Sequence, residues 1–270
     1  MTGRRLSNIL RKEWRVLASD LNNILLVTLL PLLILGELIL MIWLVSRFGG
    51  EAIASNLFFK GTLERLVAAL PSAADLPTGD LVKVLLVSQF NFFFLLIPTM
   101  IAVNSATFSI VEEKTSRSLE PLLATPVRTW ELLLGKALSG AIPALVISWL
   151  CAGLFLIGIA GIGWGYLLTY AVNPSWFIAL FFLTPAIALL SFLLGVIGSS
   201  RAKDARNAQN LVLFIIFPVF GLIALQVTGV VWFTPVLTLV LGLAIGLIDF
   251  LVLRIAVKLF QRESIVVKWR

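Results

Sequence analysis

Few side chains in this sequence are of a type that does chemistry in apolar surroundings, and Glu37 and Asp249 come first. Each sits inside a long hydrophobic run, "LPLLILGELILMIW" and "GLAIGLIDFLVLR". A charged side chain there costs about 2.5–3.5 kcal/mol on insertion scales, so each must face protein, water or a counter-charge. Asp249 has Arg254 and Lys258 within one to three turns, which predicts an ion pair near the end of its run. Glu37 has no basic neighbour in sequence. Gln89 and Asn91 enter from the outer end of the next run and reach a similar depth, so the three form either a polar cluster joining two helices or a substrate-facing group. The rest of the catalytic repertoire is thin. There is no histidine, hence no usual general base or commonest metal ligand. The single cysteine, Cys151, has apolar neighbours and reads as a packing residue. No H-E-x-x-H, no G-x-S-x-G and no paired intramembrane aspartates occur, which argues against a membrane enzyme. "LLLGKAL" contains Gly135-Lys136 but lacks the upstream glycine and the following hydroxyl that a phosphate loop needs for ATP and magnesium. The chain therefore carries no cofactor and no ATPase site of its own.

The elements that position these residues follow from composition. The chain is 60% hydrophobic without its glycines and 13% charged, against about 45–50% and about 25% in an ordinary soluble domain. Its solvent must be lipid. Six continuous apolar runs of roughly 20 residues, at 24–46, 84–110, 137–161, 176–200, 211–229 and 236–257, predict six transmembrane helices in a single domain, 1–270. A transmembrane barrel would show alternating segments of about ten residues instead. A re-entrant hairpin over 211–257 is the alternative to two full spans there.

Lysine and arginine set the orientation. Seventeen of the 21 basic residues fall before the first run, in 111–136, after the fourth run, or from Arg254 at the end of the sixth run through the tail 258–270. Only Arg47, Lys60, Arg65 and Lys83 fall on the other face, offset by Glu51, Glu64, Asp75 and Asp80. The positive-inside rule then places both termini in the cytoplasm and 47–83 outside, in a multi-pass protein of the cell (inner) membrane. The same partition explains the net charge of +7 without nucleic acid. The first apolar run is too long for a cleaved signal peptide. Within the N-terminal segment 1–23, residues 4–21 read as a basic amphipathic helix in the interface plane. Leu6, Leu10, Trp14, Leu17 and Leu21 form its apolar face. In the outer loop "GTLERLVAAL" predicts a short surface helix, and Gly242 with Gly246 form a small-xxx-small packing pair.

The stretch "VEEKTSRSLEPLLATPVRTWELLLGK", 111–136, differs from all of this, with eight charges in 26 residues. Ser118 suits an N-cap, Leu119, Leu122 and Leu123 share a face, and Pro126 ends the pattern. Pro121 is tolerated in the first turn, and Thr129 can cap a second helix that enters the membrane. The leucine face either docks on a partner protein or lies back on the bilayer surface.

This stretch resembles the signature of type-2 ABC transporter permeases. The resemblance rests on Glu112, Glu113, Lys114, Ser118, Leu119, Glu120, Leu122, Leu123, Thr125, Pro126, Glu131, Gly135 and Lys136; Ser118 stands where glycine is more usual. It implies that 111–136 is a coupling helix docking on an ABC ATP-binding subunit. Two such subunits would bind ATP and Mg and join a second permease chain, identical or paralogous. It further implies that the second and fifth spans line the pathway, with Gln89, Asn91, Phe94, Phe214 and Phe217 as candidate lining residues beside Glu37, the intramembrane acid of the first span, and that transport is export. Phenylalanines facing lipid are the alternative for the aromatic residues. A proton-coupled secondary transporter using Glu37 is the rival reading, and it leaves the charged stretch unexplained.

Overall fold

In hydrocarbon a backbone must satisfy its N–H and C=O groups internally, so continuous apolar runs fold as helices. The computed structural model describes residues 2–19, 21–45, 47, 57–115, 129–201 and 205–260; among them there is helix and no strand. α1 spans Thr2–Ser19, α2 Leu21–Leu44, α3 Leu57–Ala69, α4 Thr78–Phe90 and α5 Leu96–Thr115. α6 spans Thr129–Ile159, α7 Leu168–Ala171, α8 Pro174–Ile178, α9 Thr184–Arg201, α10 Ala205–Val227 and α11 Pro235–Leu259. Segment 116–128 and the tail 261–270 lie outside the described residues, and with them Ser118, Leu119, Glu120, Leu122, Leu123, Thr125 and Pro126.

Among the described residues five helical stretches are long and apolar enough to cross a membrane: Val27–Leu44, Thr78–Ala106, Thr129–Ala171, Pro174–Ser199 and Pro235–Leu259. The expected run at 211–229 falls in α10, where Ile215–Val227 forms a shorter apolar helix. α4 and α5 are the axis of the bundle, 89% buried over their apolar window, whereas the windows of α2 and α11 are each 22% buried. α9, α6 and α10 pack around α5; α2 lies on α6, and α11 on α9. One core joins Leu38 and Ile42 of α2 to Val84 and Val87 of α4 and to Cys151 and Phe155 of α6. Cys151 is the packing residue expected. At the other end Ala102, Leu133, Ala137, Phe192 and Ala256 close the bundle.

Several helices depart from the runs read in the sequence. The second span starts at Thr78, six residues earlier than expected, because its charges are neutralised in place. Lys83 Nζ lies 2.7 Å from Asp80 Oδ1 and 5.2 Å from the Trp164 ring centroid, and Tyr166 donates to Asp80 at 3.0 Å. A paired charge need not end a helix. The same span tightens to a 3-10 turn at Asn91–Leu95, and α8 and α9 are joined by a π-helical turn at Ala179–Leu183. Side chains bond carbonyls of that widened turn: Thr184 Oγ1 donates to Ala179 O at 2.8 Å and Trp149 Nε1 to Leu180 O at 3.0 Å. The third span continues past Ile159 through a kink at Gly163, where φ is 96°.

The expected surface helix is present as α3 and docks on the turn between α10 and α11. Arg65 donates to the Gly229 carbonyl and Thr62 Oγ1 to Thr228 O at 3.4 Å. The turn is tied from within. Phe233 N donates to Gln226 Oε1 at 3.0 Å, and Ser175 Oγ donates to Phe233 O at 2.7 Å. Only half of the expected glycine pair packs: a Cβ at Gly242 would lie 2.6 Å from Phe182 Cδ1, whereas one at Gly246 meets nothing within 4 Å.

Candidate functional site

The charged stretch begins on α5 and ends on α6. Glu112, Glu113 and Lys114 lie on the last turn of α5, which ends at Thr115. Thr129 opens α6, with Glu131 in its first turn, buried at 5% exposure. Two turns into α6, Lys136 is 2% exposed. Its Nζ donates to Ser109 Oγ on α5 at 2.6 Å and lies 3.5 Å from Glu13 Oε1 on α1. Ser109 Oγ donates in turn to Glu13 Oε2 at 3.5 Å, and Lys12 Nζ lies 3.3 Å from Glu13 Oε1. Beside this network Trp14 Nε1 donates to Ser139 O at 3.0 Å, and a Cβ at Gly135 would lie 3.0 Å from Ile9 Cγ2.

This revises the reading of α1. The helix forms as expected, but the face it buries includes Ile9 and Glu13 against α6, and Trp14 remains 43% exposed. A buried glutamate is affordable there only because Lys136 and Ser109 face it.

The polar residues of the candidate pathway are not brought together. Glu37 is exposed on α2, between Leu33 and Leu40, which are also exposed. Gln89 and Asn91 are 2% and 3% exposed. Asn91 Nδ2 donates to Trp176 O at 3.4 Å, while both polar atoms of the Gln89 side chain are buried without a hydrogen-bond partner among the described residues. Among the described residues, then, the three do not form the polar cluster expected between the first two spans. Gln89 and Asn91 are two residues apart, which turns their side chains toward different neighbours on a helix.

Asp249 also departs from expectation. It is 5% exposed and its Oδ1 has no hydrogen-bond partner among the described residues, while Arg254 lies over the Phe250 ring, 4.4 Å from its centroid. One turn separates residues 250 and 254, so ring and guanidinium stack along one face. That stacking draws Arg254 away from the expected ion pair.

The aromatic residues divide between core and surface. Phe94 is fully buried and meets Phe155 edge to face at 5.5 Å, and Phe92 packs on Phe233 at 5.0 Å. Phe217 is 68% exposed. The side chain of Phe214 lies outside the described residues.

A family model described as ABC-2 family transporter protein matches residues 51–241, about seven-tenths of the chain. The chain belongs to the ABC-2 transporter family. No curated protein and no solved structure matches it. As an ABC-2 protein it is a multi-pass membrane permease, a transport subunit of a family generally without an ATPase site of its own.

The matched region contains the whole stretch 111–136 and begins after α1 and α2. Sequence reasoning on this ABC-2 chain missed Glu13 and Ser109. Glu13 was hidden among Arg11, Lys12 and Arg15, where a lone acid reads as part of a solvated face. The signal that was available is its place four residues after Ile9, on the side of the helix that meets α6.

Proposed function

We propose that this chain is the permease half of an ATP-driven exporter and that residues 111–136 are the handle by which a separate ATP-binding subunit moves it. The observation that carries this reading is the position of the signature: the family match encloses it, and it bridges α5, half of the bundle's axis, to α6. A push on that segment is delivered to the centre of the bundle. Two permease chains, identical or paralogous, with two ATP-binding subunits would make the working complex. Six spans, with α10 as the fifth, would place both basic termini and the handle in the cytoplasm, and α3 with the Gly229 turn outside.

Exposed Glu37 supports pairing of permease chains. A carboxylate on the outer face of a membrane helix is costly against lipid, and a second chain or a water-filled path between two chains relieves that cost. Nothing in the geometry favours proton-coupled transport over this reading. The test is reconstitution in proteoliposomes. The chain alone should hydrolyse no ATP, and the chain with an ABC ATP-binding subunit from the same genome should bind it stably and show ATPase activity dependent on both. Failure of every such subunit to bind would overturn the proposal.

A further inference from the structure

We propose that Lys136 is a positioning residue: clamped between Ser109 and Glu13, it sets the separation of the two helix ends that carry residues 116–128. The proposal rests on reading that segment as the handle, and it names the device that holds the handle still. Ser109 lies six residues before the end of α5 and Lys136 seven residues after the start of α6. At 1.5 Å per residue both sit about 10 Å from their helix ends, so a tie between them holds both ends.

The alternative for a basic residue near the end of a membrane helix is that its head reaches water while its stem covers apolar surface. Lys136 does not do this, since it is 2% exposed and its ammonium lies 2.6 Å from Ser109 Oγ. The ammonium is a compact, strongly hydrated charge, so its burial requires the opposing carboxylate. Glu13 supplies one from α1, itself 8% exposed. Two further contacts place that carboxylate. Gly135 leaves room for Ile9, since a Cβ there would lie 3.0 Å from Ile9 Cγ2, and Trp14 bonds Ser139 O. The Gly-Lys pair that closes the charged stretch is thus explained without a phosphate: glycine admits the helix and lysine bonds it. The two halves of the clamp differ in origin. Ser109 and Lys136 lie within the family match, 51–241, and Glu13 lies outside it. In this chain, then, α1 completes a device whose other parts belong to the matched region. Displacement of 116–128 would pass into α5, α6 and α1 together instead of being absorbed by fraying of two helix ends.

The experiment uses the full chain in lipid nanodiscs with Cys151→Ala, spin labels on cysteines at 115 and 129, and their distance distribution by pulsed EPR. The otherwise unaltered chain should give one narrow distribution. Lys136→Met and Glu13→Gln should lose that narrow peak, and the charge-reversed pair Glu13→Lys with Lys136→Glu should regain it. In the same samples trypsin should cut at Arg11, Lys12 and Arg15 several-fold faster in the two single variants than in the otherwise unaltered chain, because proteolysis follows the population of the open form; the reversed pair, which adds a trypsin site at position 13, is read by its distance distribution alone. If Lys136→Met does not fold, Glu13→Gln carries the test, since it keeps side-chain shape and removes only the charge. Unchanged distributions in the single variants would overturn the proposal, as would broadening that the reversed pair does not repair. No ATPase is present, so the result stands apart from whether the handle docks: narrow distributions with no partner binding would sink the handle reading and leave the clamp.

Discussion

Thr62 and Gly229, 167 positions apart in the chain, fit together with no room for a methyl group between them. A Cβ at Gly229 would lie 2.7 Å from Thr62 Cγ2, on a backbone whose φ of 67° suits glycine. Gly229→Ala should therefore suffer twice, from the left-handed backbone, about 1–2 kcal/mol, and from overpacking, about 1–3 kcal/mol. Thermal unfolding in detergent should show a clear fall in Tm. Thr62→Ala should recover the steric part and leave the backbone part; full recovery would mean that the φ carries no cost.

Gly242 and Gly246 should part company in the same assay. Gly242→Ala drives a methyl against the Phe182 ring, 2.6 Å away, whereas Gly246 faces open space. The first should lose about 1 kcal/mol or more, and the second should stay within about 0.5 kcal/mol of the parent. Equal losses would mean that both glycines pack.

Orientation is checked by labelling in sealed cells lacking Cys151. Single cysteines at 75 and 170 should react with an impermeant thiol reagent from outside, and cysteines at 118 and 204 should not. External reaction at 118 would invert the topology.

Glu37 is exposed and forms no hydrogen bond among the described residues, so Glu37→Leu should not reduce the folded yield of the isolated chain. Glu37→Gln should leave the ATPase bound and alter transport or the ATPase response to cargo. Unaltered transport and cargo response in that variant would remove Glu37 from the pathway.

Much of the architecture was legible because the bilayer makes the rules few. Apolar runs had to be helices, and both ends of α2 and α11 and the C-terminal end of α9 fall within about three residues of the expected ones. What escaped was set by side-chain contacts that the apolar pattern does not record, some local and some between distant residues. The early start of α4 depends on Asp80 meeting Lys83 and Tyr166, and the π-helical turn at Ala179–Leu183 on Trp149 and Thr184. For the site, the signature pointed to the right segment, but spacing alone could not reveal that Lys136 faces Glu13 across 123 positions. Depth alone was also a poor guide to contact. Glu37, Gln89 and Asn91 were matched by height in the membrane, yet Glu37 points away from the bundle while the other two point in.

The central claim, that 111–136 is the docking handle for an ATP-binding subunit, is tested most directly by Leu122→Asp with Leu123→Asp in a pull-down. Burying an unpaired charge costs several kcal/mol, and about 1.4 kcal/mol is tenfold in affinity. The double variant should insert normally, because both residues lie outside the apolar runs, and should lose the ATPase and transport together. Glu120→Ala should be milder, as an exposed ion pair is worth about 0–1 kcal/mol. Recovery of the ATPase at the parent stoichiometry by the double variant, with transport retained, would contradict the account.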